Sequence, residues 1–236
     1  MGQLILMGKN SNGKNQYLDL ESIPLLICSY SNDEQLDRFF IQLSKLNTSN
    51  ENNSYLITNT RLFNKWGFAD SQFNTFFKDE PETGSIHSWS DLIAIILKQV
   101  VERQKIMKQK KLSDFKKYIR LNTWNEHKLN YQFLLIDDIW DIVKAKPKKL
   151  TLDLMLILLY GPAVGIHTIF ASGISYRNLL QQLVGIHPIL TLELQKKYGR
   201  PEPKQISALG HELIYTPDEL VFYKKQGSFE MERFFK

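Results

Sequence analysis

Short, continuously apolar runs alternate along this chain with segments whose apolar residues return at helical spacing, and this alternation restricts the fold more than any other feature. Pro24 opens the continuously apolar run Leu25-Leu26-Ile27-Cys28, and Tyr55–Thr58, Tyr131–Ile136 and Ile166–Ala171, mainly apolar, read as further strands. Such runs lack the in-out alternation of a half-solvated strand and suit strands buried on both faces. Between them, Leu36, Phe39, Phe40 and Leu43 recur at helical spacing, as do Ile93, Ile96, Leu97, Val100 and Met107. Ser88 and Asp91 stand where a capping box would start that second helix. Leu150–Tyr160 is a third, stopped by Gly161-Pro162. Strands separated by helices return the chain to the same end of a sheet, so neighbours run parallel. An α/β fold follows, with a mostly parallel sheet and helices on both faces.

Turn residues and periodicity extend this pattern. Leu4–Met7 and Tyr17–Leu20 flank the turn-rich Gly8–Gly13 and predict a hairpin over residues 3–20. Ser29–Glu34 reads as a polar turn. Tyr176–Leu183 reads as a helix, Ile189–Leu194 as a strand, and Leu213–Tyr215 as pairing with Val221–Tyr223 near a sheet edge. Residues 60–86, rich in Phe, read as irregular. With 236 residues and 43% hydrophobic content, the chain suits residues 1–20 as an attached hairpin and 21–236 as one domain.

Composition excludes several chemistries. The single cysteine, Cys28, lies within an apolar run and permits no disulfide within the chain, which fits a reducing compartment. The five histidines, at 87, 127, 167, 187 and 211, show no ligand spacing, so no metal site is expected. No nucleophile elbow occurs, and no catalytic residue is expected. His167, in the apolar turn before a strand, reads as structural. The apolar stretch Leu154–Ile174 is interrupted by Gly161, Pro162, Gly165 and His167, short of the roughly 20 residues a membrane helix needs. The first residues carry no basic leader, so any membrane attachment is expected outside this chain.

In an open α/β sheet, ligands sit beyond the carboxyl ends of the strands. Three such ends are Ser29–Leu36 after the first strand, Asp137-Asp138 after Tyr131–Ile136, and Ser172-Gly173 after Ile166–Ala171. Here the chain resembles the FtsK/SpoIIIE family of RecA-like P-loop motor ATPases. Leu134-Leu135-Ile136-Asp137-Asp138-Ile139-Trp140-Asp141 is similar to the family's Walker B strand, and Gly161–Ser172 to its Gly-Ile-His turn and sensor strand. The Asp-Asp pair and the worn phosphate loop resemble the last ATPase-like domain of the type VII secretion coupling protein, the EssC/EccC type.

A working phosphate loop needs Gly-x-x-x-x-Gly-Lys-Ser/Thr, so that backbone N–H groups, an ammonium and a magnesium-binding hydroxyl converge on phosphate. On this resemblance Ser29 and Glu34 replace the glycines, Gln35 the lysine and Leu36 the hydroxyl residue. Asp33 and Glu34 add negative charge where phosphate would lie, at a helix N-terminus whose N–H groups a carboxylate can serve. On the same resemblance the polar Gln or Arg of the sensor position in active relatives corresponds to Gly173 and Ile174. Active relatives use ATP and magnesium; none is expected here, and Asp137 and Asp138 read as inherited carboxylates hydrogen-bonded to nearby backbone.

Eight cations between Lys98 and Lys117 face only Glu102 and Asp114, and read as one basic helix meeting solvent or an acidic protein, with no nucleic acid expected. Trp66 and Phe68, in the irregular segment, are candidates for substrate contact. The resemblance implies a non-catalytic domain on the cytoplasmic side of the cell membrane. Its partners would be secreted substrate proteins, other ATPase domains of the same protein and a hexameric assembly. The alternative is an ATP-driven DNA translocase motor.

Overall fold

The computed structural model describes residues 4–9, 15–19, 25–30, 40–41, 43–44, 54–71, 73–79, 88–122, 129–139, 142–143, 148–172, 183, 189–190, 192–194, 211–215, 220–226 and 228–234. At the start, β1 (Leu4–Lys9) and β2 (Asn15–Asp19) form an antiparallel ribbon with a register shift between Leu6 and Gly8. The remaining elements, in chain order, are β3 (Leu25–Tyr30), β4 (Tyr55–Thr58), α1 (Thr60–Trp66), β5 (Asn74–Phe77), α2 (Trp89–Gln109), α3 (Phe115–Leu121), β6 (Gln132–Ile136), α4 (Lys148–Tyr160), β7 (Ile166–Ser172), β8 (His211–Tyr215), β9 (Leu220–Gln226) and β10 (Ser228–Phe234). Their eight strands make one sheet in the order β10-β9-β8-β3-β7-β6-β4-β5. From β8 to β5 every neighbour is parallel, and β9 and β10 add an antiparallel edge.

The strand order fixes which face each connection covers. From β3 the chain moves outward to β4 and β5, then back through β6 and β7 to β8. Right-handed crossovers place the outward and returning connections on opposite faces. Accordingly Phe40 and Trp66, from the two outward connections, stack with ring centroids 4.2 Å apart. On the returning face α2, α4, Leu183 and Leu194 share one core with Ile57, Leu134, Ile136, Ile166 and Phe170. Pleating turns the alternate residues Leu56, Phe133, Leu135 and Ile169, all buried, to the other layer.

Several expectations change. The segment 60–86 is more regular than its composition suggests: α1, a 3-10 turn at Phe68–Asp70 and the edge strand β5 occupy much of it. Gly67 closes α1 in the left-handed conformation, at φ 69°, where a side chain would be strained. Trp66 and Phe68 are each 1% exposed, which overturns them as candidate substrate contacts. Their rings meet each other and Phe40 and Phe73, and close the outward layer. The strand expected at Ile189–Leu194 is helical where it is described, because Leu190 and Leu194 pack inward one turn apart while Ile189 and Leu192 face solvent. The single basic helix is two helices. At its end, Lys111 adopts φ 54° and the N–H groups of Lys111 and Leu112 bond back to Lys108 and Met107, a Schellman stop before Asp114 caps α3. The strand β3 runs two residues past Cys28, to Tyr30. The expected pairing near the sheet edge is that of β8 with β9, extended by β10. The helix expected at Tyr176–Leu183 lies outside the described residues, apart from Leu183, which is helical.

Candidate functional site

Three neighbouring strands, β5, β4 and β6, end side by side at the carboxyl edge of the sheet, and their last residues converge on Asp137. The Asp137 N–H donates to the Ile57 carbonyl at 3.0 Å, prolonging the β6–β4 ladder past the strand proper. Its carboxylate, 2% exposed, is held on both oxygens. Oδ2 accepts the Thr58 hydroxyl at 2.9 Å and the Asn59 N–H at 3.1 Å. Oδ1 accepts no directed hydrogen bond and is met by the ammonium of Lys78, whose side chain is 12% exposed. Asp138 is half-buried beside it.

Neighbouring groups hold these donors in place. Asn59 caps α1, its side chain accepting the Leu62 N–H at 2.9 Å. The Lys78 N–H donates to the Thr58 carbonyl at 2.8 Å. Asp79 then accepts the Thr60 N–H on both oxygens, at 3.0 and 3.1 Å, placing a carboxylate at the N-terminal end of α1. The end of β5 is thus buttoned over the end of β4, with Lys78 aimed inward.

In a P-loop ATPase a carboxylate at this strand end would hold magnesium through oxygen, directly or through water. The residues present do not fit that group. An ammonium already neutralises Asp137, and a second cation at Oδ1 would meet Lys78 at close range in a region shielded from water, where like charges repel strongly. Of the other site residues, Ser29 ends near the same edge and pairs in register with Ser172, the last residue of β7. Asp33, Glu34, Gln35, Leu36 and Gly173 lie outside the described residues.

His167 belongs to the opposite end. It is the second residue of β7, buried between the rings of Tyr131 and Phe133 at 5.3 and 6.0 Å, away from the carboxyl edge. Arg103, counted with the basic cluster, turns inward. Its guanidinium donates to the Asn130 and Val164 carbonyls at 2.9 and 3.0 Å and lies over the Phe115 ring. Burial lowers its pKa to about 10, against a smaller upward pull from Tyr118 and Tyr55. The folded value lies below the unfolded one, so this group adds stability with rising pH only above about pH 10, and none of it varies near neutrality.

Thr58, Asn59 and Lys78 carry no motif, and Lys78 lies in the segment read as irregular. The rule that singled out Asp137 does not reach Lys78, because Asn74–Phe77 is half polar and does not read as a buried strand. Among the described residues no group of acidic, His or Cys side chains is arranged to hold a metal. No described helix is long and apolar enough to cross a membrane.

No protein-family model matches the chain, and no curated protein matches it in sequence. Solved structures do match in shape. EssC (ATPases 2 and 3) from Geobacillus thermodenitrificans superposes with a TM-score of 0.63 at 12% identity, over 99% of this chain and 44% of that one. The pCW3 conjugation coupling protein TcpA, with ATPγS, gives 0.60 at 8% identity over 100% and 66%. Thermomonospora curvata EccC (ATPases 2 and 3), in complex with a signal sequence peptide, gives 0.57 at 9% identity over 100% and 41%. The chain thus spans less than two-thirds of the length of each of these structures. Its fold is the RecA-like P-loop ATPase fold found in type VII secretion and conjugation coupling proteins.

Proposed function

We propose that this chain is a non-catalytic, ATPase-like domain of a type VII secretion coupling protein, working by contact on the cytoplasmic side of the membrane. The observation that carries the reading is Asp137, whose carboxylate is neutralised by Lys78 and bonded by Thr58 and Asn59 where an active domain would hold metal. Glu34, Gln35 and Leu36 in place of Gly, Lys and Ser/Thr support it from the sequence. The shared fold with EssC and EccC, one of them in complex with a signal sequence peptide, supports secreted proteins and sister ATPase domains as partners within a hexameric motor. An ATP-driven DNA translocase would instead need the phosphate-binding lysine and magnesium-binding hydroxyl that Gln35 and Leu36 replace.

Titration calorimetry with Mg-ATP tests the reading. No binding heat is expected, whereas a dissociation constant below about 100 μM, near −5.5 kcal/mol, would overturn it. Pull-down of candidate secreted proteins with the domain then tests the partner class.

A further inference from the structure

A second candidate surface lies at the other end of the sheet. Arg103 ties the last turns of α2 to the residues just before β6 and β7, so the C-terminus of α2 sits at the amino edge, opposite Asp137. There a cleft of about 440 Å³ opens between α2 and the turn at Gly161–Val164. Met107 and Val164, both buried, and half-buried Leu112 give it an apolar floor, with exposed Ala163 on one wall. The exposed residues Lys108 and Lys111 stand on its rim. Lys105 and Lys116, on the adjoining helices, are exposed as well.

Structural roles account for only part of this charge. Lysines near the end of α2 complement its dipole, which covers Lys108 and Lys110. Lys110 also reaches Asn122 and the Tyr118 ring, and Lys117 pairs with Asp114. Lys116 and Lys117, however, stand in the first turn of α3, where the dipole disfavours cations. No ion pair forms among the described residues to Lys105, Lys108, Lys111 or Lys116. The result is an open depression, apolar below and cationic around.

We propose that this cleft docks an acidic polypeptide segment, seating one apolar side chain on half-buried Leu112 and exposed Ala163 while flanking carboxylates meet Lys108 and Lys111. A peptide fits better than nucleic acid. The floor is aliphatic, and the nearby rings of Phe115 and Tyr118 are buried in the core, leaving them no face for bases to stack on. The inference rests on the reading of this domain as one that acts by contact, but the two can fail separately. Nucleotide titration reports on the carboxyl edge of the sheet and peptide binding on the amino edge.

Fluorescence anisotropy with a labelled Glu-Glu-Leu-Glu-Glu-Leu-Glu-Glu peptide and the whole chain at about 150 mM salt tests it. A dissociation constant of about 10–100 μM is expected. Binding should weaken about tenfold in Lys108→Glu/Lys111→Glu and about fivefold when the peptide's Leu residues become Ser, and change less than about twofold in Lys98→Glu, farther back on α2. Ala163→Glu, at an exposed position of the wall, gives a second variant should the double one fail to fold, and it too should weaken binding about tenfold. Equal binding of the Ser peptide would reduce the site to bare charge and overturn the proposal. So would tighter binding of duplex DNA, no binding of the Leu peptide below about 1 mM, or unchanged affinity in the folded cleft variants.

Discussion

At Gly165 the backbone runs at φ 76°, and a Cβ built there would lie 2.2 Å from the Phe115 ring. Two costs therefore meet at one residue: a left-handed conformation that favours glycine, and a ring occupying the space of any side chain. The glycine of the Gly-Ile-His turn thus has a packing reason, since it lets α3 seat Phe115 against the start of β7. Gly165→Ala should destabilise the chain by about 2–5 kcal/mol in urea unfolding. Phe115→Leu in the same background should restore part of the loss, because the smaller side chain vacates the contact. A change under about 1 kcal/mol would show that the turn relaxes freely and remove this account of the motif.

The ends of β4, β5 and β6 act as one element, joined by a buried charge pair rather than by the ladder alone. Asp137 needs Lys78, because a buried carboxylate without its cation keeps the desolvation cost and loses the attraction. Lys78→Met should lower stability by about 3 kcal/mol, somewhat under a fully buried pair because Lys78 keeps some contact with water. Asp137→Asn added to it should recover part of that loss, since an amide can still accept from Thr58 and Asn59 without needing a counter-charge. The pair is read from a double-mutant cycle. A coupling energy below about 0.5 kcal/mol would mean that Lys78 does not compensate Asp137 in solution.

Across the whole molecule the sheet separates two layers of different composition. Aliphatic helices α2 and α4 cover the returning face, whereas stacked rings dominate the outward one. Trp66 is the hub of that second layer, touching Phe40 and Phe68. Trp66→Ala should cost about 3–5 kcal/mol and lower the melting temperature by several degrees, because the surrounding rings cannot collapse into so large a void. A variant of near-native stability would return the residue to the surface and reopen it to partner contact.

Much of this was legible in the sequence, and the remainder follows from one physical limit. Apolar runs and helical spacing are local properties of the backbone, so Leu25–Cys28, Tyr55–Thr58, Tyr131–Ile136 and Ile166–Ala171 declare an α/β sheet before any coordinate is known. Asp137-Asp138 at a strand end is legible for the same reason. Periodicity failed where a run was short: Asn74–Phe77 was hidden among rings, and Ile189–Leu194 has a composition that suits strand or helix equally. Tertiary structure alone decided that β7 lies between β3 and β6, that Trp66 and Phe68 are core, and that Arg103 turns inward from a row of solvated lysines. It also decided the fate of Asp137. Thr58 bonds to that carboxylate from 79 residues away, and Lys78 reaches it from a neighbouring strand. Burial and charge compensation sum over residues that only the folded sheet brings together, so no pattern along the chain carries them.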